Sequence, residues 1–454
     1  MKINLEKYCI SFSSTIKEAI EKIEINEEGF ILIINEKNVL LGIATDGDIR
    51  RHLIKKGILK DKIIECSNKN FISVDQKTSY EEIYKMLDDN IKLLPVLNSK
   101  NVLVNVITKK NIPEREQRDY YSRSKAPVRI SFSGGGSDTT SYLKNNDGAV
   151  INTTISLYSH CTLKKRQDKK IIIDSFDLNQ TSVFEDLNQM NSNSGKFKLI
   201  NALLNTINLD HGIELFIKSD FPFSSGLGGS SAICASILGC FNEFRNDKWD
   251  KYEISELAYQ AERLYLGIEG GWQDQYATVF GGFNLMEFKS KNNLVIPIRI
   301  SKEKKLELEA SLILCYTNSN HADLKIHQKQ KNNLVNKVVL KNISKNVQLT
   351  YEIRDHLLKG EINKIGNSLN KSWELKKTFS NRISNDKLNI IYQKAILNGA
   401  KGGKLLGAGG GGFFLFFVDI ANKNRLIEWI LKEKMTYINV NFENEGMTSW
   451  SVRI

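Results

Sequence analysis

Residues 221–232 read Phe-Pro-Phe-Ser-Ser-Gly-Leu-Gly-Gly-Ser-Ser-Ala, a glycine-rich turn between two apolar segments. Residues 213–218 alternate as in a half-buried strand, and residues 232–241 are almost wholly apolar, as in a buried helix. Glycine lets the backbone turn tightly around an anion, and the start of a helix adds unpaired N–H groups and the positive end of its dipole. The stretch therefore predicts a site for the phosphates of a nucleoside triphosphate.

Two further glycine-rich segments support a ligand site over an ordinary strand-to-helix turn. Residues 126–138 alternate like a strand, break at three consecutive glycines and end in Asp138. Residues 399–412 contain eight glycines and run into an apolar segment at 413–418 that is typical of a buried strand. Each glycine costs backbone entropy on folding, so we expect these backbones to approach a ligand closely. The Walker loop is excluded because residues 221–232 contain no lysine.

In this order and spacing the three segments resemble the motifs of the GHMP kinases, named after galactokinase, homoserine kinase, mevalonate kinase and phosphomevalonate kinase. The resemblance covers residues 125–454 and implies an α+β, two-lobed fold. It places an N-terminal lobe with the ATP loop at 125–330 and a C-terminal lobe at 331–454. The segments 271–276, 281–284 and 372–377 look most like the sugar 1-kinases that act on D-glycero-D-manno-heptose 7-phosphate, with L-fucose kinases as close relatives.

The resemblance implies an ATP-dependent carbohydrate kinase that uses Mg²⁺. The expected reaction moves the γ-phosphoryl group of ATP to the anomeric hydroxyl of D-glycero-D-manno-heptose 7-phosphate, in nucleotide-activated heptose biosynthesis. One alternative is a kinase of free L-fucose or another hexose. A second alternative is a regulatory nucleotide-binding protein whose kinase site is inactive.

The resemblance also assigns roles to individual residues. Asp274 matches the aspartate that faces the acceptor hydroxyl, as a general base or as an orienting charge, and Arg129 matches the cation beside it. A strand-end arginine in solvent is the alternative for Arg129. The phosphates of ATP are expected on Gly226, Leu227, Gly228, Gly229, Ser230 and Ser231, and the acceptor on Gly135, Gly136, Ser137, Asp138, Gly409 and Gly410.

Metal and phosphate contacts complete the predicted site. Ser230 and Glu262 match the metal ligands of the family, and oxygen ligands suit Mg²⁺. Glu262 is expected at the edge of the apolar stripe of a helix. A cationic clamp for a sugar phosphate is expected among Lys371, Lys376, Lys377 and Arg382, although a solvated helix face is the alternative in a chain so rich in lysine.

The first 112 residues form a different module, which an internal repeat reveals. The segment 38–49 recurs at 101–112 in a similar pattern, so two copies are expected, at about 1–58 and 64–112. Their order of elements resembles a small α/β tandem CBS pair, a module that commonly binds adenine nucleotides. Thr45 and Asp48 match its ribose contacts, whereas Asn111 replaces the acid in the second copy. Interaction or dimerisation, as in a homodimer, is therefore the alternative, and 113–124 are expected to be a linker.

Composition limits the remaining partners and locations. At 454 residues, with 41% hydrophobic and 26% charged residues, the chain can form more than one core. No apolar run is long enough to cross a membrane, and six scattered cysteines indicate a reducing cytoplasmic location. The net charge of +12 favours anionic substrates. No basic run interleaved with aromatic residues indicates nucleic-acid binding.

Overall fold

The computed structural model describes residues 5–87, 91–109, 120–268, 270–318 and 336–453. The chain divides into two compact units, residues 1–117 and 118–454. The predicted linker at 113–124 lies partly outside the described residues. Residues 120–124 differ from the prediction, because they already belong to the strand Tyr120–Ser133, which pairs with Thr448–Arg453 near the end of the chain.

The first unit contains the two predicted copies, each with a three-stranded sheet in which the first strand pairs parallel to the second and the second antiparallel to the third. Its strands are β1 (Cys9–Ser11), β2 (Phe30–Ile34), β3 (Leu40–Thr45), β4 (Val74–Asp75), β5 (Leu93–Leu97) and β6 (Leu103–Thr108). Its helices are α1 (Ile16–Asn26), α2 (Asp46–Ile54) and α3 (Tyr80–Met86), with short 3₁₀ helices at Leu5–Lys7 and Ile63–Cys66.

The turn between the second and third strands repeats atom for atom in the two copies. The side chain of Asn35 accepts hydrogen bonds from the N–H groups of Lys37 and Val39, and Asn98 accepts them from Lys100 and Val102. Asparagine is suited to this turn because its side chain bonds the backbone two residues on. The repeat seen in the sequence is therefore a repeat of local structure.

The second unit begins with the long hairpin strands β7 and β8. Its strands are β7 (Tyr120–Ser133), β8 (Gly148–Lys165), β9 (Ile171–Ser175), β10 (Gln180–Phe184), β11 (Ile213–Ser219), β12 (Phe283–Phe288), β13 (Asn293–Pro297), β14 (Leu312–Tyr316), β15 (Ala400–Leu405), β16 (Phe413–Val418), β17 (Thr436–Asn439), β18 (Phe442–Glu443) and β19 (Thr448–Arg453). Its helices are α4 (Thr140–Leu143), α5 (Leu187–Ser192), α6 (Lys198–Thr206), α7 (Gly229–Glu243), α8 (Lys251–Tyr259), α9 (Gln273–Phe280), α10 (Lys302–Ser311), α11 (Lys337–Lys359), α12 (Ile365–Lys377), α13 (Asp386–Leu397) and α14 (Ile420–Lys432). Two 3₁₀ helices lie at Gly195–Phe197 and Ile362–Lys364, and a π-helical turn, Gln260–Tyr265, continues α8.

The strands of this unit form two sheets. In the described part of the chain, a nine-stranded mixed sheet contains β7 to β13 with β18 and β19, and a four-stranded antiparallel sheet has the order β15-β16-β14-β17. The helix α7 is almost entirely buried and packs on β7 and β8. Every residue of β16 is buried, which explains its continuous apolar sequence.

The two sheets do not follow the predicted lobe boundary at residue 330, which lies outside the described residues. β14 was assigned to the N-terminal lobe but pairs with β16 and β17. β18 and β19 were assigned to the C-terminal lobe but pair with β8 and β7. The chain therefore enters the second sheet early and returns to the first at its end. None of the helices within the described ranges is long and apolar enough to cross a membrane.

Candidate active site

The predicted ATP loop connects β11 to α7. Gly226 and Gly228 have φ angles of 76° and 80°, in the left-handed region that favours glycine. A Cβ atom on Gly229 would lie 2.5 Å from the ring of Phe221, so the helix begins close against the preceding segment. Ser230 follows in the first turn of α7, whose N–H groups have no partner within the helix. This geometry suits phosphate oxygens.

Arg129 and Asp274 form a partly buried ion pair beside this loop. The guanidinium of Arg129 donates from Nε to one oxygen of Asp274 at 2.9 Å and from Nη1 to the carbonyl of Gly226 at 2.7 Å. Its Nη2 lies 2.8 Å from the same oxygen of Asp274. The Arg129 side chain is 5% exposed and that of Asp274 26%. Because it is buried, Arg129 is not a strand-end arginine in solvent. The pair holds a carboxylate at a fixed position next to the ATP loop.

Glu262 lies in the π-helical turn that follows α8 and is fully buried. Its carboxylate accepts hydrogen bonds from the hydroxyls of Ser230 and Ser231 and from the side-chain amide of Gln275. The predicted helix thus continues with a π-helical turn, a deviation that occurs often at functional sites. The turn points Glu262 at the start of α7.

Asp138 lies in the turn after β7 and is 6% exposed. One carboxylate oxygen accepts from the N–H of Gly136 and the other from the N–H of Gln273, both at 3.1 Å. Burial raises the pKa of Asp138, the N–H of Gln273 lowers it, and the charge of Asp274 raises it, with a net increase. Asp138 is thus held rigidly by backbone groups, as a residue that orients hydroxyl groups requires.

A single cavity collects most of the predicted acceptor site. Arg129, Asp138 and Asp274 line it together with Gly135 and Gly136. The third glycine-rich segment contributes Gly407, where a Cβ atom would lie 2.6 Å from Cα of Gly226. The first and third segments therefore line this space, and the ATP loop contacts it through Gly226, which lies against Arg129 and Gly407.

Six residues predicted for the acceptor or its phosphate clamp do not line the cavity, namely Ser137, Gly409, Gly410, Lys371, Lys377 and Arg382. The buried hydroxyl of Ser137 donates to the carbonyls of Gly134 and Ala149. Gly410 donates its N–H to the carbonyl of Ile383, and a Cβ atom on Gly409 would lie 2.7 Å from Cα of that residue. Lys377 pairs with Glu374 at 2.9 Å.

Lys376 does line the cavity, and it is joined by Lys404, which the sequence analysis missed. They are 7% and 2% exposed. The Lys376 ammonium donates to the carbonyls of Leu405 and Gly407. Burial and the charge of Arg129 lower the pKa of Lys376 to about 7, against the opposing effect of two carboxylates. Two buried amines therefore face the acceptor space.

Arg263 is a second residue that the sequence analysis did not single out. It lines the cavity near Gly270 and Gly271, and its Nη1 and Nη2 make long hydrogen bonds to the carbonyls of Ile268 and Gly271, at 3.3 and 3.4 Å. Its Nε is buried and has no hydrogen-bond partner among the residues that the structure describes. The sequence signal was its position directly after Glu262 in the Ala-Glu-Arg pattern.

Gly271→Ala should disturb acceptor binding without affecting ATP. A Cβ atom at this position would lie 1.8 Å from Oδ2 of Asp138, so the carboxylate must move. A hydrogen bond to a charged group contributes about 1.5–3 kcal/mol, which predicts a KM for the acceptor that is about 10- to 100-fold higher. Steady-state kinetics with each substrate varied in turn would check this, and an equal increase in the KM for ATP would contradict it.

In the first unit, Thr45 and Asp48 lie together at the start of α2. The hydroxyl and N–H of Thr45 donate to Oδ2 of Asp48 at 2.6 and 2.9 Å, and Arg51 donates to Oδ1 at 2.6 Å. Asp48 returns the contact through its own N–H, which donates to the Thr45 hydroxyl. The two residues form a capping box, so they also stabilise the helix.

Comparison with known families agrees with this fold. A model described as GHMP kinases N terminal domain matches residues 196–282, GHMP kinases C terminal matches 353–430, and CBS domain matches 6–55 and 63–114. The protein belongs to the GHMP kinases: it is an ATP-dependent carbohydrate kinase that carries an N-terminal CBS pair. Its C-terminal part is 40% identical over 336 residues to D-glycero-alpha-D-manno-heptose 7-phosphate kinase of Campylobacter jejuni, a match that covers 73% of this chain and 99% of that protein.

Other relatives are more distant in sequence. A crystal structure of a D-glycero-D-manno-heptose 1-phosphate kinase from Bacteriodes thetaiotaomicron superposes with a TM-score of 0.62 at 29% identity, covering 73% of this chain and all of that one. The L-fucokinase/L-fucose-1-P guanylyltransferase of Bacteroides fragilis is 28% identical over 327 residues, covering 64% of this chain and only 34% of that protein. The heptose kinases thus share more of their sequence or their length with this chain than the fucokinase does.

Proposed function

We propose that the protein transfers the γ-phosphoryl group of ATP to the anomeric hydroxyl of D-glycero-D-manno-heptose 7-phosphate. The observation that carries this proposal is the cavity in which the Arg129–Asp274 pair lies between the ATP loop and Asp138. The 40% identity to a heptose 7-phosphate kinase along that protein's length supports the choice of sugar. The product would be a sugar 1,7-bisphosphate.

The chain supplies positioning and charge for this transfer. The anomeric oxygen forms a bond to the γ-phosphorus, the bond from that phosphorus to the β,γ-bridging oxygen breaks, and ADP leaves with that oxygen. The proton of the hydroxyl passes to the carboxylate of Asp274, which Arg129 holds in place. Donors on the ATP loop and the Arg129 guanidinium offset the charge on the phosphoryl oxygens.

The residues around Glu262 fit Mg²⁺. Within the described ranges, the buried Glu262 carboxylate has no ion pair, and its hydrogen-bond donors are neutral hydroxyl and amide groups. A cation would offset this buried negative charge, and carboxylate and hydroxyl oxygens are ligands that Mg²⁺ prefers. Glu262 and Ser230 would hold the ion. When bound, Mg²⁺ neutralises charge on the nucleotide phosphates.

A phosphorylated acceptor also fits the charge of the cavity. Besides Arg129, the side chains of Lys376, Lys404 and Arg263 line its walls. A free hexose would offer these groups only hydroxyl oxygens, whereas a phosphate ester offers a dianion for charge-assisted hydrogen bonds. We therefore favour a sugar phosphate over free L-fucose or another free hexose.

The proposal is tested by comparing acceptors under identical conditions. Release of ADP is measured with the heptose 7-phosphate, free heptose, L-fucose and galactose at several concentrations. The proposed function requires the highest kcat/KM for the heptose 7-phosphate. A higher kcat/KM for a free sugar would favour a hexose kinase, and no turnover of any sugar would favour a regulatory protein.

The pH dependence of the reaction should report the low pKa of Lys376. With a pKa of about 7 the amine is charged below neutral pH and loses its proton as pH rises. Because kcat/KM reflects groups of the free enzyme, kcat/KM for the phosphorylated acceptor should fall above pH 7, towards about tenfold per pH unit. Lys376→Met should remove this fall. A wild-type profile that stays flat between pH 7 and pH 9 would contradict the assignment.

For the first unit we propose adenine-nucleotide binding at Thr45 and Asp48, with dimerisation as the alternative role. Asp48 already accepts bonds from Thr45 and Arg51, so a ribose hydroxyl would have to share or replace them. Titration calorimetry with AMP, comparing the wild type with Asp48→Ala, tests this site in the full chain. ATP and ADP are avoided because the substrate and the product of the kinase would both bind the kinase loop.

We further place the reaction in the cytoplasm. All six cysteines are free, and five of them are buried, which is typical of a reducing compartment.

A further inference from the structure

Lys404 is a buried lysine whose amine has no partner in the part of the chain that the structure describes. It lies on β15, is 2% exposed, and lines the cavity that contains Asp138 and Asp274. Among the described residues its ammonium makes no hydrogen bond and no ion pair, whereas the Lys376 ammonium donates to two carbonyls. A buried ammonium without compensation is costly, and such groups are rare unless they are paired.

The charges around Lys404 make an anion the missing partner. Burial lowers the pKa of Lys404 well below its usual value, and the charges of Lys376 and Arg129 lower it further. The two carboxylates of the cavity do not reverse this shift. The charged groups that line the cavity are Arg129 on β7, Asp138 after β7, Arg263 in the π-helical turn, Asp274 on α9, Lys376 on α12 and Lys404 itself. An anion between the two lysines would compensate both.

The position of Lys404 connects this anion to the transfer chemistry. The Lys376 ammonium is bonded to the carbonyl of Gly407, and Gly407 packs against Gly226 of the ATP loop. Arg129 reaches the same loop through the Gly226 carbonyl. Lys376 and Lys404 therefore line the cavity that adjoins the ATP loop, where the phosphates of the nucleotide are expected to bind.

We propose that Lys404, together with Lys376, binds the oxygens of a phosphate group in the acceptor cavity. The inference rests on the proposed function, because the phosphate group would belong to one of the two substrates of that reaction. The bound phosphate could be either of two groups. One is the γ-phosphoryl group of ATP during its transfer, and the other is the phosphate that the acceptor already carries. In either case the anion supplies the partner that the buried amine lacks.

The first test compares Lys404→Met with Lys401→Met in the full chain. Lys401 lies on the same strand but outside the cavity, where it pairs with Asp419 at 2.6 Å. Removing one fixed donor from a transition-state site lowers the rate by about 100-fold or more. We therefore expect Lys404→Met to lower kcat/KM for the heptose 7-phosphate by about 100-fold. Lys401→Met should leave kcat/KM unchanged.

Measuring both variants with unphosphorylated heptose as well identifies the source of the phosphate. A loss of the same size with both acceptors assigns Lys404 to the transferring phosphoryl group. A loss confined to the heptose 7-phosphate assigns it to the phosphate of the acceptor. If Lys404→Met stays within threefold of Lys401→Met with both acceptors, the proposal is wrong. If another sugar proves to be the substrate, the same pair of variants is measured with that sugar. A wrong choice of sugar is then distinguished from a wrong role for Lys404.

A second test separates this role from a structural one. Methionine fills a similar space without a charge, so Lys404→Met should fold and should melt at the same temperature as the wild type or higher. Inorganic phosphate should raise the melting temperature of the wild type more than that of the variant, because only the wild type has the Lys404 amine to bind it. A variant that melts lower and keeps the same response to phosphate would show that Lys404 serves only the fold, and would overturn the proposal.

Discussion

Asp274→Asn is expected to lower kcat by about 1000-fold, because general acid–base catalysis by a positioned side chain contributes about 10²- to 10⁴-fold. Asparagine keeps an oxygen that can accept from Arg129, which now donates to Oδ1 of Asp274 at 2.9 Å. It cannot take the proton of the acceptor hydroxyl. The fold and the ATP loop should survive, so binding of a fluorescent ATP analogue should change little while turnover is lost.

The matched control is Asp247→Asn. Asp247 pairs with Arg245 at 2.8 Å, but its side chain is 84% exposed and lies outside the cavity. Exposed ion pairs contribute about 0–1 kcal/mol, so this variant should behave as the wild type in both assays. If Asp274→Asn retained more than a tenth of the wild-type kcat, Asp274 would be neither the base nor an essential charge.

Glu262→Gln is expected to lower kcat by about 100-fold and to raise the Mg²⁺ concentration needed for half-maximal activity. Loss of one electrostatic contact in a transition-state site lowers kcat by about 10²- to 10³-fold, and we expect the lower value here. The substitution removes the buried charge that we assign to the metal. It also places an amide donor among the hydroxyls of Ser230 and Ser231 and the amide of Gln275. A buried group left without a partner costs about 1–3 kcal/mol of the free energy of unfolding. Initial rates over a series of Mg²⁺ concentrations measure the effect.

The chain contains a close control for this change. Glu243, at the end of α7, also accepts bonds from two serine hydroxyls, those of Ser449 and Ser451, at 2.7 and 3.2 Å. Glu243 also pairs with Lys248 at 3.3 Å. Glu243→Gln should therefore perturb the bonds to two serine hydroxyls and this ion pair at the opposite end of α7 from the ATP loop, with no change in the Mg²⁺ requirement. An unchanged requirement in Glu262→Gln as well would exclude Glu262 as a metal ligand.

Local patterns predicted much of the secondary structure. The strand predicted at 413–418 is β16 with the same bounds, and the alternating segment 213–218 lies within β11. In the first unit, Thr15 and Ser79 cap α1 and α3 through capping boxes. These features depend on residues within a few positions of one another, so the sequence displays them directly.

The predicted boundaries differ from the structure mainly where a strand pairs with a partner far away in the sequence. Tyr120–Ser133 begins within the expected linker, at residues 120–124, because it pairs with β19, more than 300 residues later in the sequence. β14 joins the second sheet through partners that lie beyond residue 400. No local periodicity records such a partner, so a boundary set by composition alone falls in the wrong place.

For the site, the resemblance to a family brought together residues that spacing alone could not. Arg129 and Asp274 are 145 positions apart and still share a hydrogen bond. Lys404 was missed because lysine is normally exposed, and nothing in the adjacent sequence marks a buried one. Ser137 shows the reverse error, since a polar residue in a glycine-rich motif was expected to face the ligand but bonds the backbone instead.

The most direct test of the central claim is ³¹P NMR of the reaction mixture containing the protein, ATP, Mg²⁺ and D-glycero-D-manno-heptose 7-phosphate. The account predicts that ATP is converted to ADP and that one new phosphate monoester signal grows, coupled to the anomeric proton, while the original 7-phosphate signal persists. A new ester on another hydroxyl, or an anomeric phosphate formed from free L-fucose or galactose but not from the heptose 7-phosphate, would contradict it.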